Sequence, residues 1–162
     1  RSHAIWVIPP GKEAKIASDE FSGVNGVVLS PDQSLVYAAD YSGRYVWSGQ
    51  RKPDQTLAYV QPYFHLHFPP AAIDSRSLAD GMAVTEEGWV LVATAMGIQI
   101  CDQPGRVNLI VPSPVGERHP SNVVFRGNTL YATCGSKVFR REVKLRGVQA
   151  WESPVMPGKP KL

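Results

Sequence analysis

The chain has 162 residues, of which 43% are hydrophobic and 19% charged, and a formal net charge of +3. It holds no apolar run of about 18 residues that could span a membrane, and its two cysteines lack the Cys-x-x-Cys spacing of a zinc ribbon. The charge is uneven, because residues 137–162 hold seven Lys and Arg against two Asp and Glu. A basic end can bind nucleic acid, but alternation along an outer strand gives the same pattern. We predict neither a nucleic-acid nor a membrane partner.

In chain order, almost every segment has the composition of a short strand. Two apolar segments, Ile5–Ile8 and Ala14–Ile16, come first, and three series of four apolar runs separated by turn residues follow. The series are Val27–Leu29, Leu35–Ala39, Tyr45–Trp47 and Leu57–Val60; Met82–Val84, Val90–Thr94, Ile98–Cys101 and Leu109–Val111; and Val123–Phe125, Leu130–Thr133, Val138–Arg140 and Val143–Leu145. No segment of helical length shows sustained helical periodicity.

Each series is one copy of a repeat. The copies begin at Asn25, Asp80 and Ser121, with steps of 55 and 41 residues between them. Four strands in a unit of about 40 residues are typical of the blades of a β-propeller. The extra residues of the longer first step lie in residues 61–79, a segment that contains Pro and His. A long loop at such a point is often functional.

The sequence therefore predicts an all-β fold, a β-propeller of four-stranded antiparallel blades. The two leading segments match the third and fourth strands of a blade, so about three and a half blades are expected in residues 1–148, before a Pro- and Lys-containing tail in 149–162. Propellers typically close with four to eight blades. We therefore expect further N-terminal blades, or a second copy of the chain, to complete the ring. Trp6 and Trp47 occupy equivalent third-strand positions and are predicted to pack between blades.

The first strand of each propeller blade lines the central channel, so Asn25, Asp80 and Ser121 are predicted to converge at its mouth. Amide, carboxylate and hydroxyl oxygens suit a hard cation such as Ca²⁺. A bound cation can polarise a carbonyl group and acidify a water molecule. The alternative is that Asn25-Gly and Asp80-Gly are only turn residues that enter a strand.

Three histidines and two cysteines are further candidates. His119 precedes Ser121 and is predicted to contact a substrate near the channel mouth. His65 and His67 are two residues apart, so in a strand both would face one side, as a metal pair, a polar wall or ordinary surface residues. Cys101 and Cys134 lie in apolar contexts and are predicted to be buried, inert thiols, with a bridge between neighbouring blades as the alternative.

The motifs resemble the C-terminal half of the six-bladed propellers of the SMP-30/gluconolactonase/LRE-like family. The resemblance covers residues 4–148. It rests on Val24-Asn-Gly-Val-Val-Leu-Ser-Pro-Asp with Leu35-Val-Tyr-Ala-Ala-Asp, and on Ala79-Asp-Gly-Met-Ala-Val with Gly88-Trp-Val-Leu-Val-Ala-Thr. Gly97-Ile-Gln-Ile-Cys-Asp-Gln-Pro-Gly-Arg, His119-Pro-Ser-Asn-Val-Val-Phe and Leu130-Tyr-Ala-Thr follow in the same order.

The resemblance implies a carboxylic ester hydrolase, a lactonase that opens a sugar lactone with the help of a divalent metal. Asn25 and Asp80 would ligate the cation, most simply Ca²⁺, with Zn²⁺, Mn²⁺ or Mg²⁺ as alternatives. Asp80 would also act as general base or orient the attacking water. We assign His119, Ser121 and His65 to the substrate.

The same resemblance places the family's remaining metal-binding Glu and substrate-binding Asn before the first residue of this chain. We therefore expect the isolated 162 residues to be inactive. The alternative function is a non-catalytic half-propeller used as a binding or assembly module.

Overall fold

The computed structural model describes residues 3–69, 76–116, 118–149 and 151–157, and these residues form strands and turns without a helix. No helix that could cross a membrane is therefore found in these ranges. The strands are β1 (Ile5–Val7), β2 (Lys15–Ser18), β3 (Val24–Leu29), β4 (Leu35–Asp40), β5 (Tyr45–Arg51), β6 (Leu57–His65), β7 (Met82–Val84), β8 (Val90–Thr94), β9 (Gly97–Cys101), β10 (Val107–Val111), β11 (Asn122–Arg126), β12 (Thr129–Cys134) and β13 (Lys137–Glu142).

The strands form four antiparallel sheets in chain order. β1 pairs with β2, and β3 to β6 and β7 to β10 are four-stranded sheets in which each strand pairs with the next along the chain. The last sheet has three strands, β11 to β13. This arrangement confirms the predicted all-β fold of blade-like sheets, and the two leading segments, predicted as the third and fourth strands of a blade, pair with each other.

The sheets stack through apolar faces, and the core lies in the layers between them. In β8, Val90 and Val92 pack toward the β3–β6 sheet, and Leu91 and Ala93 pack toward the β11–β13 sheet. Successive side chains of a strand point to opposite faces, so a strand buried on both sides is apolar at every position. A third layer joins β1 and β2 to the β3–β6 sheet.

The prediction of a strand at Val143–Leu145 is wrong. After β13 the chain turns back along the β7–β10 sheet, where the Glu86 N–H donates to the Arg146 carbonyl at 2.9 Å and the Val148 N–H donates to the Val84 carbonyl at 2.9 Å. The physical reason is burial: Val143 and Leu145 pack against the apolar layer between the β7–β10 and β11–β13 sheets. As an outer strand they would leave more of that surface in water.

The following segment continues across the same end of the sheets. The Val155 N–H donates to the Pro31 carbonyl at 2.8 Å, so residues 151–157 reach the turn between β3 and β4. The predicted tail of residues 149–162 extends beyond these to residues 158–162, which lie outside the described residues.

The two tryptophans differ. Trp47 packs edge-on against Phe21, with ring centroids 6.0 Å apart, in the layer between the first two sheets. Trp6 is 54% exposed in this chain, and its packing between blades stays a prediction. Its strand neighbours Ile5 and Val7 take the inward face, and alternation turns Trp6 to the other side, where no described sheet covers it.

Both cysteines are buried and free, which confirms the prediction of inert thiols over that of a bridge. Burial raises the pKa of the Cys101 thiol to about 12, and the neighbouring Asp102 carboxylate adds to the shift.

Candidate functional site

The strand register aligns the three copies of the repeat as the sequence predicts. The first strands of the last three sheets, β3, β7 and β11, are called the inner strands. Each inner strand pairs with the second strand of its sheet through an equivalent residue pair. The pairs are Val27 with Ala38, Met82 with Val92, and Val123 with Ala132. Two residues before each inner-strand member stand Asn25, Asp80 and Ser121, so all three lie at the same end of adjacent inner strands.

The glycines that follow Asn25 and Asp80 explain how these strands come together. A Cβ atom on Gly26 would overlap the carbonyl oxygen of Asp80, and one on Gly81 would overlap the side chain of Asn122. Neither glycine has a positive φ. Interpreting Asn-Gly and Asp-Gly as turns is therefore wrong: the glycines allow the inner strands of neighbouring sheets to approach closely.

Backbone hydrogen bonds hold the approach in place. The Gly81 N–H donates to the Ser121 carbonyl at 3.0 Å, which ties β7 to the start of β11. The Asp80 N–H donates to the Ala93 carbonyl at 2.9 Å, which ties Asp80 to its own sheet. Asn25 lies where the β3–β4 pairing shifts register, between Val24 and Val27, and such a bulge re-aims a side chain.

Asn25, Asp80 and His119 lie near one another at this end of the strands. Burial raises the pKa of the Asp80 carboxyl above its ordinary value, while His119 and the side chain of Asn25 act in the opposite direction. Asp80 and His119 are half-buried, whereas Asn25 is exposed. Two sequence-predicted residues from different blades thus converge on one carboxylate.

Ser121 is exposed, and its hydroxyl shares a hydrogen bond of 2.9 Å with the hydroxyl of Thr133. Sequence reasoning missed Thr133. Its signal was present in the two-residue turn Gly127-Asn128, because such a turn fixes hairpin register, and counting back along β11 and β12 sets Asn122 opposite Thr133.

His65 does not join this group. It ends β6, the outermost strand of its sheet, and three interstrand steps of about 4.8 Å separate β6 from β3. The His65 ring lies against Tyr45, with centroids 5.3 Å apart. His67 is held by its backbone, whose N–H donates to the Gln99 side-chain oxygen at 2.8 Å and whose carbonyl accepts from the Gln99 amide at 2.9 Å.

The donor set fits the chemistry of a hard cation but is small. Asn25 and Asp80 offer an amide oxygen and a carboxylate, the ligand types that Ca²⁺ prefers, and Ca²⁺ takes about six to eight oxygens. Within the described ranges, no three His, Cys, Asp or Glu side chains lie close enough together to hold a metal ion. This chain's residues would therefore supply part of a coordination shell.

Comparison with known proteins places this geometry in context. The model of a family described as the SMP-30/gluconolactonase/LRE-like region matches residues 2–136. No curated protein matches the chain in sequence.

Solved structures share the fold. A gluconolactonase from Xanthomonas campestris superposes with a TM-score of 0.68 at 19% identity, over 91% of this chain and 45% of its own. A calcium-binding protein, regucalcin, from Agrobacterium tumefaciens gives 0.70 at 15% identity, over 95% and 56%. A luciferin-regenerating enzyme gives 0.67 at 22% identity, over 88% and 51%. The chain thus spans about half the length of the solved structures that it matches.

Proposed function

The chain belongs to the SMP-30/gluconolactonase/LRE-like family, and from that membership we propose that it forms part of a lactonase-type hydrolase that opens a sugar lactone with the help of a divalent cation. The observation that carries the proposal is that Asn25 and Asp80, from neighbouring inner strands, lie close together and that the Asp80 carboxylate is half-buried. The gluconolactonase and the calcium-binding regucalcin among the similar structures support the substrate class and the cation.

In this proposal Asn25 and Asp80 hold the cation through their side-chain oxygens. Asn25 would turn its amide so that oxygen rather than nitrogen faces the site. A divalent cation, when bound, polarises a carbonyl oxygen and lowers the pKa of a coordinated water. Calcium fits the all-oxygen donor set best, and Zn²⁺, Mn²⁺ and Mg²⁺ are the alternatives to test.

Asp80 is the proposed general base or water-orienting group. Its half-buried position disfavours the charged form, so the carboxylate has a greater tendency to accept a proton than an exposed one. His119 faces the same carboxylate and would contact the substrate. The hydroxyls of Ser121 and Thr133 form a pair that can donate to and accept from sugar hydroxyls. A direct role for His65 would require a substrate that reaches the outer strand.

We further propose that these 162 residues alone do not turn over a lactone, because Asn25 and Asp80 supply too few of the ligands that a cation needs. The same shortage of ligands supports the competing function, a non-catalytic half-propeller used for binding or assembly.

Calcium titration by calorimetry, together with hydrolysis of a gluconolactone, tests the proposal on the longest natural chain that contains this sequence. We expect Asp80→Asn and Asn25→Ala to weaken calcium binding at least tenfold, the loss typical of a missing charged or polar ligand, and to reduce hydrolysis. Asp102→Asn, a carboxylate in the turn between β9 and β10, is the matched control. If neither site variant changes calcium affinity or turnover, the lactonase proposal fails and the binding-module function is preferred.

A further inference from the structure

A cavity of about 640 Å³ opens at the end of the inner strands opposite to the Asn25–Asp80 pair. It lies between the β3–β6 and β7–β10 sheets, at the turns that follow β3 and β7. Asn25 lies near the start of β3, whereas Ser30, which lines the cavity, follows directly after the end of β3. About 15 Å of strand therefore separates the cavity from the Asn25–Asp80 pair. A volume of this size is ordinary for a small-molecule site.

The cavity lining is acidic. Asp32, Glu86 and Glu87 line it, and none of the described lining residues is Lys, Arg or His. Burial opposes ionisation of Asp32, but the hydroxyls of Ser30 and Ser34 outweigh it and lower the pKa of this carboxyl.

The other two carboxylates differ in their partners. Glu86 is paired with Arg146 at 2.8 Å, and Arg146 is itself 58% exposed. Glu87 is exposed, and within the described ranges its carboxylate has no ion-pair partner. The lining therefore keeps a net negative charge.

A largely buried tyrosine also presents its hydroxyl to this space. Tyr37 is only 7% exposed and lines the cavity, and its hydroxyl has no hydrogen-bond partner among the residues that the structure describes. Its ring is fixed edge-on against Phe64, with centroids 5.1 Å apart. The Tyr37 oxygen is open to the cavity, so a water or a ligand there can satisfy it. Tyr63, close to Tyr37, is already committed, because its hydroxyl donates to the Gln103 carbonyl at 2.7 Å.

The distribution of charged and apolar residues in the lining favours one kind of cationic ligand. No three acidic side chains lie close enough together for a metal ion among the described residues, so the charge is spread around the cavity. Tyr37, Tyr63 and the tail residues Val155 and Met156 add aromatic and apolar walls. An organic cation with an apolar body meets both requirements, since its ammonium can donate hydrogen bonds to the carboxylates and its body can contact the walls.

We propose that this cavity, lined by Asp32, Glu87 and the Tyr37 hydroxyl, binds a small organic ammonium ion with an aromatic or alkyl body. The site is separate from the Asn25–Asp80 pair and goes beyond the proposed lactonase function. Its occupant would touch two sheets and the tail at once, and would therefore stabilise the packing of the tail against the turn at Pro31.

The test follows the amide resonances of the full 162-residue chain by NMR during titration with 2-phenylethylammonium at low ionic strength. We expect saturable shifts at Gly88 and Gln103, which line the cavity, with a dissociation constant in the low-millimolar range, as is usual for a ligand of this size. The neutral analogue 2-phenylethanol should bind at least about threefold more weakly, and the anion phenylacetate should not bind.

Two conservative variants address the residues. Glu87→Gln should weaken binding about threefold, and Tyr37→Phe, which keeps the ring and removes the hydroxyl, about fivefold. Glu142→Gln, an exposed carboxylate on β13, is the matched control and should leave the affinity unchanged, as should Asp80→Asn.

Absence of saturable shifts at Gly88 and Gln103 would overturn the proposal, as would equal binding of the neutral analogue. Unchanged affinity in both Glu87→Gln and Tyr37→Phe would do the same. If Tyr37→Phe did not fold, the Glu87→Gln result and the neutral analogue would decide.

Discussion

The close approach of the inner strands at Gly26 makes a measurable prediction. In Gly26→Ala the new methyl group must overlap the Asp80 carbonyl oxygen, a backbone atom of the neighbouring sheet that cannot rotate away. Gly26 has no positive φ, so alanine carries no intrinsic backbone penalty there. The whole effect must then come from forcing β3 and β7 apart. Unrelieved overpacking costs about 1–3 kcal/mol, and we expect the upper part of that range, about 2–3 kcal/mol, because the obstacle is rigid.

Urea denaturation of the parent chain and Gly26→Ala measures this loss as a lower midpoint at unchanged slope. Gly127→Ala is the comparison, because Gly127 has a φ of 59° and open space around its Cβ position. It should lose about 1 kcal/mol from backbone strain alone. Only Gly26→Ala should also weaken divalent-cation binding, since it moves Asp80. A free energy of unfolding within about 0.5 kcal/mol of the parent for Gly26→Ala would refute the close-approach argument.

Three further predictions concern the core, the thiol and the tail. Phe64→Ala should cost about 3–5 kcal/mol by urea denaturation, because the ring is fully buried and packs on two tyrosines, whereas Ile8→Ala, 72% exposed, should stay within about 0.5 kcal/mol. Burial raises the pKa of the Cys101 thiol from 9.0 in the unfolded chain to about 12, so the native state holds its proton longer and stability should fall as pH rises from 9.0 toward 12. Cys101→Ala should flatten that fall, and an unchanged alkaline limb would contradict the assignment. Arg146→Ala should cost less than about 1 kcal/mol, since its pairing with Glu86 is largely exposed, and a larger loss in urea would show that the returning segment depends on that ion pair.

The sheets were predictable because each strand carries its own signal. Runs such as Val90–Thr94 are apolar at every position, which indicates a strand covered on both faces, and Gly- or Pro-containing turns separate them. The prediction of a strand at Val143–Leu145 was wrong for a physical reason. Apolar residues that alternate with basic ones are typical of an outer strand and equally of a returning segment that buries the same side chains. Periodicity cannot distinguish these, since both leave one face in water. Trp6 lies on the face of β1 opposite Ile5 and Val7, so the β3–β6 sheet does not cover it, and its packing between blades stays a prediction.

The candidate site was predictable only where the repeat placed it. Equivalent positions in adjacent copies must lie side by side, so the convergence of Asn25 and Asp80 followed from counting. Contacts that cross between neighbouring sheets have no such signal, because they depend on how far the sheets are apart. The roles of Gly26 and Gly81 belong to this class. The hydroxyl pair of Ser121 and Thr133 lies within one hairpin and could have been found from its turn.

The glycines and the oxygen ligands are one feature of the fold rather than two. In the first two copies the polar residue, Asn25 or Asp80, is followed by glycine, and the missing Cβ is what lets the next inner strand close in. Because the polar residue directly precedes the glycine, the same approach that joins the strands also brings Asn25 to the carboxylate of Asp80. Any larger residue at Gly26 would separate the strands and the two side chains together. Packing between the sheets and the geometry of the candidate site should therefore change in parallel, and a variant that altered one without the other would show that the two are separable.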